Sequence, residues 1–414
     1  MEVERLSGVY SDELSKRFKK NGVPYTSQYH FRTVSRLNEL KPIILKTVIR
    51  CWPDIKDESP IRDEYRIAHS VKDAKGRCIV IGTVYKEMKR HPSPLNAYKH
   101  DFAFKKEEIT EFTNDDDYLT LEDQTQRLII TGDFMDPHRF TSGMVLAMKG
   151  YITPEGLFNA EDYTFAGPPP LLQVPVKTED KFIAIISGLE VAGPNVDHDG
   201  LLLLQEFLLG NLSDTNHKII RLVVAGNGVG SCDLEAISDS DTFFAQLASS
   251  IPVDLMPGAK DPTNANLPQQ MISPSFMDHS KRYGTFKSTT NPYLFTVDDV
   301  RFLGISGQSV QDICNYSRLS ELDALKIIAD SRCIAPTGID SLPCHSEMDV
   351  FNLADDDEYP HVFFSGNAKE FAAGTIGENK LPKVICVPSF NDSPTLVLVS
   401  LSSLDVTTVK LSSE

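Results

Sequence analysis

The sequence contains no C-x-x-C pair, no long apolar run and too little positive charge to balance its acids. Its seven cysteines (Cys51, Cys78, Cys232, Cys314, Cys333, Cys344 and Cys386) are scattered, with no histidine at zinc-finger spacing. They read as reduced and mostly buried thiols. The longest apolar runs, such as Leu201 to Leu204, fall far short of a membrane span, and the N-terminal MEVERLSGVYSDELSKRF lacks the apolar centre of a signal peptide. A soluble, intracellular protein with no membrane partner is expected, in which sequons such as Asn211-Leu212-Ser213 are chance matches. Lys and Arg number 41 against 58 Asp and Glu, a net charge of −17. Such a surface repels a phosphate backbone unless a local patch reverses the sign, so little or no direct DNA contact is expected.

What is present suffices for several cores. The chain has 414 residues, 41% of them hydrophobic, with 24 glycines and 25 prolines, an ordinary globular share. Over residues 1–60, apolar positions near helical spacing (Val34, Leu37, Leu40, Ile44, Val48) predict two or three helices broken at Pro24 and Pro42. The basic cluster Lys16, Arg17, Lys19 and Lys20 reads as a solvated helix face, or as an import signal. Residues 61–167 change to short β-type runs, CIVIGTVYKEM, YLTLEDQ, RLIITGDF, MVLAMKGYI and LFNAEDYTFA, separated by turn signals. Five strands in about 100 residues suggest a small barrel of the OB-fold type, with a two-sheet sandwich as the alternative. The acidic stretch from Glu107 to Asp117 reads as a long exposed loop. Gly167-Pro168-Pro169-Pro170 stiffens the chain and marks a domain boundary, and residues 168–414 have an α/β texture. FIAIISGL, LLLLQEFLLGNL, IIRLVVAGN, DTFFAQLASS and PVDLMPG alternate strand, helix, strand, helix, strand, which predicts a parallel sheet. VRFLGISGQ, HVFFSGNA, KVICVPSF and TLVLVSLSSLDVTTVKL predict a second or mixed sheet of short strands without regular helices.

Ligands in open α/β sheets collect at the carboxyl ends of strands. The turns there are SGLE, AGNGVG and MPGAKDP, followed by SGQ near 306 and SGNAKE near 365. Their order and spacing resemble the calcineurin-like metallophosphoesterases, whose signature is D-x-H, G-D-x-x-D, G-N-H-D/E, a lone His and G-H-x-H. Carried over residue by residue, the first Asp and His fall on Gly188 and Glu190, the G-D-x-x-D pair on Asn227 and Gly230, the third motif on Ala259 and Lys260, and the last histidines on Asn367 and Lys369. Glu190, Asn227 and Asp261 keep oxygen atoms, whereas Lys260 and Lys369 bring ammonium groups to cation positions. The expected class is therefore a non-enzyme with no catalytic residue, metal or cofactor, in which these nine positions form a degenerate metal pocket.

An inactivated phosphoesterase domain behind an OB-fold resembles the B-subunits of replicative DNA polymerases. ASSIPVDLMPGAKDPTNANLPQQ (248–270), NPYLFTVDDVRFLGISGQSVQDICNYS (291–317) and YPHVFFSGNAKEF (359–371) are similar to the regulatory second subunit of DNA polymerase delta, from about Tyr25 onward. The stretch 229–240 is shorter than in that family. The resemblance implies a nuclear scaffold in DNA replication and repair. It would hold the cysteine-rich C-terminal metal-binding domain of the catalytic subunit and a third accessory subunit, and meet the sliding clamp only indirectly. Two alternatives stay open: an active metal-dependent phosphodiesterase or 3′-5′ nuclease of the same fold, and the B-subunit of polymerase alpha or epsilon.

Other motifs have plainer readings. Gly226, Gly228 and Gly230 read as a tight turn, because Ser231 stands where a dinucleotide fingerprint needs glycine. Gly304-Ile305-Ser306-Gly307 lacks the closing glycine of a nucleophile elbow and also reads as a turn. Asp197-His198-Asp199 reads as a loop capping the Leu201 helix, not a metal cluster. Trp52, Tyr85, Phe134 and Tyr151 read as core or partner contacts in preference to base-stacking residues.

Overall fold

A computed structural model describes residues 5–20, 30–53, 65–91, 112–175, 179–194, 196–212, 216–345, 349–377 and 379–412. Pro24 and residues 107–111 of the acidic stretch lie outside them; in the rest of that stretch Asp115 and Asp116 are exposed but Thr113 and Asp117 are buried, so it is not an exposed loop throughout. The chain begins with a two-residue strand β1 (Tyr10–Ser11) and a 3-10 turn, Glu13–Phe18. A single helix α1 (His30–Cys51) follows. Pro42 lies inside α1 and does not break it, contrary to the expectation of two helices there. Its missing N–H costs one hydrogen bond. Burial of Leu37, Leu40, Ile44 and Val48 on either side of it holds the helix together.

The next six strands form one sheet, of which β3 to β7 close into a barrel: β2 (Arg66–Ile67), β3 (Arg77–Glu87), β4 (Tyr118–Glu122), β5 (Arg127–Thr131), β6 (Val145–Ile152) and β7 (Phe158–Thr164). Their order is β2-β3-β4-β5-β7-β6, and the β3–β6 pairing closes the ring. Strand β3 is buried on both faces for a reason written in its period of two. Cys78, Val80 and Val84 point into the barrel, while Ile79 and Ile81 point outward onto α1. The five runs read as strands in the sequence are β3 to β7.

Beyond the prolines the chain makes two more six-stranded sheets. The first comprises β8 (Phe182–Ile186), β9 (Ile219–Ala225), β10 (Val253–Met256) and β11 (Phe286–Ser288), all parallel. The second is built on β12 (Tyr293–Val297), β13 (Val300–Ile305), β14 (Val362–Ala368), β15 (Ala372–Thr375) and β16 (Lys383–Pro388). The last two strands, β17 (Thr395–Ser400) and β18 (Val406–Lys410), return to the first sheet, which reads β11-β10-β9-β8-β17-β18. The second reads β1-β12-β13-β14-β16-β15, so the first residues of the chain supply its edge.

The sheets stack face to face. Ile183, Ile185, Val223 and Met256 of one meet Phe295, Phe302, Phe364 and Ile385 of the other. The outer face of the first sheet carries α2 (His198–Leu209) and α3 (Leu234–Ala248). The outer face of the second carries α4 (Gln308–Asn315) and α5 (Glu321–Asp330). These two helices overturn the expectation that the C-terminal part lacks regular helices. They are short, and Val310, Ile313, Leu325 and Ile328 fix them by tertiary burial. The result is a four-layer α/β/β/α sandwich, beside which the barrel and α1 are packed.

Candidate functional site

The carboxyl ends of β8, β9, β10, β13 and β14 converge where the two sheets meet. Several of the turns there enter the left-handed region, at Gly188 (φ 62°), Glu190 (43°), Gly226 (89°), Asn227 (52°), Gly230 (76°) and Asn367 (55°). Glycine is needed for closeness as well as for φ. A Cβ on Gly366 would stand 2.0 Å from the Ala225 carbonyl oxygen, and one on Gly226 would stand 2.2 Å from Ser306 Cβ. Absent side chains thus let the ends of the two sheets touch.

The carried-over positions are largely brought together. Asn227 Nδ2 donates to Asn367 Oδ1 at 3.0 Å, Asn227 Oδ1 accepts from the Lys260 N–H at 3.0 Å, and Asn367 Nδ2 donates to the Ser306 carbonyl at 2.8 Å. Lys260 Nζ lies 2.5 Å from Glu190 Oε1. Asp261 is buried and accepts four backbone N–H groups, from Gly228 (3.3 Å), Val229 (2.9 Å), Gly230 (3.0 Å) and Gly258 (2.8 Å). The glycine-rich turn after β9 is therefore a cradle already filled by this chain's own carboxylate. Gly188 closes the floor, since a Cβ there would meet Ser389 Oγ at 2.6 Å. Ala259 and Lys369 are exposed, and the Lys369 N–H donates to Glu321 Oε2 at 3.0 Å, outside the cluster.

Beside this cluster lies a buried network that the sequence reading did not single out. Asn291 Nδ2 donates to Gln269 Oε1 (2.8 Å), Ser306 Oγ (2.7 Å) and Gln308 Oε1 (3.1 Å). Gln308 Nε2 donates to Gln269 Oε1 at 2.9 Å, and Gln269 Nε2 donates to the carbonyls of Gly258 (3.1 Å) and Asn264 (3.0 Å). The strings DPTNANLPQQ, NPYLF and SGQSVQ converge here, which gives their polar residues a shared structural task. Polar side chains in the heart of an α/β run were the available signal.

Chemically, the cluster is closed upon itself. Glu190 faces an ammonium, Asp261 faces four N–H groups, and the remaining members are amides bonded to one another. Among the described residues, no three His, Cys, Asp or Glu side chains gather as a metal site would require. Asp197 caps α2 by accepting from the Gly200 N–H at 3.0 Å, as expected of that loop. Of the aromatics, Trp52 is buried and donates Nε1 to Asp162 Oδ2 at 2.8 Å, Arg127 lies over the ring of Tyr85, and Phe134 and Tyr151 are exposed. Arg17, from the basic cluster, is held by the Asn352 carbonyl (2.5 Å) and Glu358 (3.1 Å). No helix among the described residues is long and apolar enough to cross a membrane.

Comparison with known proteins matches two stretches of the chain. Residues 28–163 match the family described as DNA polymerase delta subunit OB-fold domain, and residues 183–373 match the DNA polymerase alpha/epsilon B-subunit family. The barrel is thus the OB-fold domain. A DNA polymerase delta small subunit of Oryza sativa subsp. japonica is 33% identical over 438 residues, covering 99% of each chain. One of Arabidopsis thaliana is 33% identical over 374 residues (82% of this chain, 83% of that one), and the DNA polymerase delta subunit 2 of Drosophila melanogaster is 30% identical over 440 (99% and 98%). Among solved structures, purple acid phosphatase PPD1 of yellow lupin aligns with a TM-score of 0.29 and 13% identity over 64% of this chain and 59% of that one, too slight a likeness to argue from. With near full-length relatives at 30–33% identity and both halves matched in order, this chain belongs to the DNA polymerase delta small subunit family.

Proposed function

We propose that this chain is a non-catalytic scaffold in the nucleus that joins the cysteine-rich C-terminal domain of the polymerase delta catalytic subunit to a third accessory subunit. It makes no nucleotide bond, binds little or no DNA, and meets the sliding clamp only through its partners. The observation that carries this reading is the self-satisfied cluster at the strand ends. A two-metal phosphoesterase needs several open carboxylate and imidazole ligands around ions a few ångströms apart. Here Lys260 supplies a competing cation, pinned to Glu190, and Asp261 already spends its lone pairs on the turn that would have to present ligands. The sandwich, in this view, is a degenerate calcineurin-like phosphoesterase domain retained for its surface. The acidic balance of the chain fits a subunit that leaves DNA to its companion.

Tagged protein purified from cell extract in moderate salt should retain the delta catalytic subunit and a third subunit in comparable amounts. Recovery of alpha or epsilon components instead would move the scaffold to another polymerase. Manganese added to the purified chain should yield no cleavage of single-stranded DNA. Manganese-dependent cleavage by the folded chain would make this an enzyme.

A further inference from the structure

Where α1 crosses the outer face of the barrel, a pocket of about 260 Å3 opens between Val34 and Leu37 of the helix, Thr83 of β3, and Glu122, Asp123 and Gln124 at the turn from β4 to β5. It is smaller than the sites that enclose a whole small molecule, and it has room for one long side chain.

Two acceptors in it are unused. Thr83 faces α1 by the same period of two that turns Ile79 and Ile81 outward. It is 1% exposed, and its hydroxyl oxygen is buried without a hydrogen-bond partner. Glu122 stands opposite it in the register of β3 and β4, so the two side chains are neighbours on that face. Glu122 Oε2 takes both contacts with Arg127, from Nε (2.9 Å) and Nη2 (2.7 Å), and Oε1 accepts no hydrogen bond among the described residues. Asp123 is committed to the turn, where it accepts the N–H groups of Val71 (2.7 Å), Thr125 (2.7 Å) and Gln126 (3.1 Å), and it contributes only its charge. A buried hydroxyl left unpaired costs free energy that an arriving donor would recover.

The lining selects what enters. It holds two carboxylates and no Lys, Arg or His, so it repels an anion and attracts a cation. Arg127 lies beside Glu122 but outside the lining, and Glu87 offsets its charge as well, at 2.8 Å. A guanidinium would want two carboxylate oxygens side by side, and Arg127 already holds one of the pair. An ammonium is a point charge that needs only single acceptors, which Thr83 Oγ1 and Glu122 Oε1 supply. Val34 and Leu37 offer aliphatic walls to a four-carbon stem. The residues just before α1, 21–29, contain no lysine, so the adjoining stretch of this chain cannot provide one.

We propose that this pocket receives one lysine side chain of a partner polypeptide, with its stem along Val34 and Leu37 and its ammonium between Thr83 Oγ1 and Glu122 Oε1. The proposal deepens the scaffold reading and rests on it, in that the partner is taken to be another polymerase subunit. In the complex reconstituted from the full chain with the delta catalytic and third subunits, a zero-length carbodiimide should couple the Glu122 carboxyl to one lysine of a partner, identified by mass spectrometry. Thr83→Val removes one acceptor and Gln124→Lys adds a competing ammonium at the rim, and each should lower the yield of that link at least fivefold. Gln124 is exposed in a turn, so its variant should fold normally. In the free chain Thr83→Val should leave Tm unchanged or raise it, because the hydroxyl it removes has no partner there. An intact complex without a link at Glu122, a link to a lysine of this chain itself, a yield unchanged in both variants, or a Tm lowered by Thr83→Val would overturn the pocket proposal alone. Failure to form any complex would overturn the scaffold reading, and the proposal with it.

Discussion

Arg36 on α1 donates Nε to Asp349 Oδ2 at 2.6 Å, with both side chains fully withdrawn from water. The same guanidinium reaches the carbonyls of Gly143 (3.0 Å), Pro336 (2.6 Å) and Ala335 (3.0 Å). One side chain thus ties the helix, the barrel and the sandwich together, and the two halves of the molecule cannot separate without exposing a buried ion pair.

Removing one member should therefore be severe. Asp349→Ala leaves an uncompensated buried cation, and destabilisation of about 3–5 kcal/mol is expected in urea unfolding. The double variant Arg36→Met, Asp349→Leu should recover part of that loss. It should not recover all, because three carbonyls lose their donor.

Asp261 offers a second test of the closed site. Asp261→Ala strands four buried N–H groups and should cost at least about 3 kcal/mol, since each unmatched donor costs about 1–3 kcal/mol. Asp261→Asn should not rescue it. Each carboxylate oxygen accepts two N–H groups, so the amide would turn its NH2 toward two donors. Amide exchange at Val229 and Gly230 should accelerate in both variants.

The touching strand ends predict intolerance to one methyl group. Gly366→Ala places Cβ 2.0 Å from the Ala225 oxygen, backbone against backbone, so neither atom can rotate away. A loss of about 3 kcal/mol is expected, read as a lowered Tm. Gly284→Ala, where a Cβ meets nothing within 4 Å, serves as the tolerant control.

His361 sets part of the acid limit. It is buried, accepts the Arg301 N–H on Nδ1 (2.9 Å) and places Nε2 2.9 Å from the Gln173 carbonyl, an arrangement that requires the neutral ring. Burial, then the charge of Arg301, lowers its pKa to about 4 from the usual 6.5. Between these values the unfolded chain binds a proton that the folded chain refuses, so stability falls as pH drops from 6.5 to 4. The window is worth about 3 kcal/mol at 1.36 kcal/mol per pH unit. His361→Gln should flatten the pH dependence in that interval.

Much of this was legible in the sequence, for physical reasons that also mark the limits. In β5, Arg127 and Ile129 alternate with the buried Leu128 and Ile130, a period of two that needs no tertiary knowledge. The turns carrying Gly188, Asn227 and Lys260 could be placed at one end of a sheet because parallel topology dictates it. Pro42 misled because local propensity yields to a buried helix face, and α4 was missed because QSVQDICN has only two strongly apolar residues in eight. Gln269, Asn291 and Gln308 stayed invisible as a group. Nothing local records that segments this far apart share hydrogen bonds.

The edge strand at the start of the chain bears on how the molecule comes to be made. Tyr10 pairs with Val297, and Arg5 donates to the carbonyls of Leu208, Asn216 and Ile219. A ribosome adding about 5–20 residues per second needs roughly 15–60 s to deliver the second half of that pairing. Arg5 and Tyr10 thus cannot take their native places until partners made long after them are in the chain. The barrel, whose strands all pair within residues 66–164, is free to form before that edge is complete.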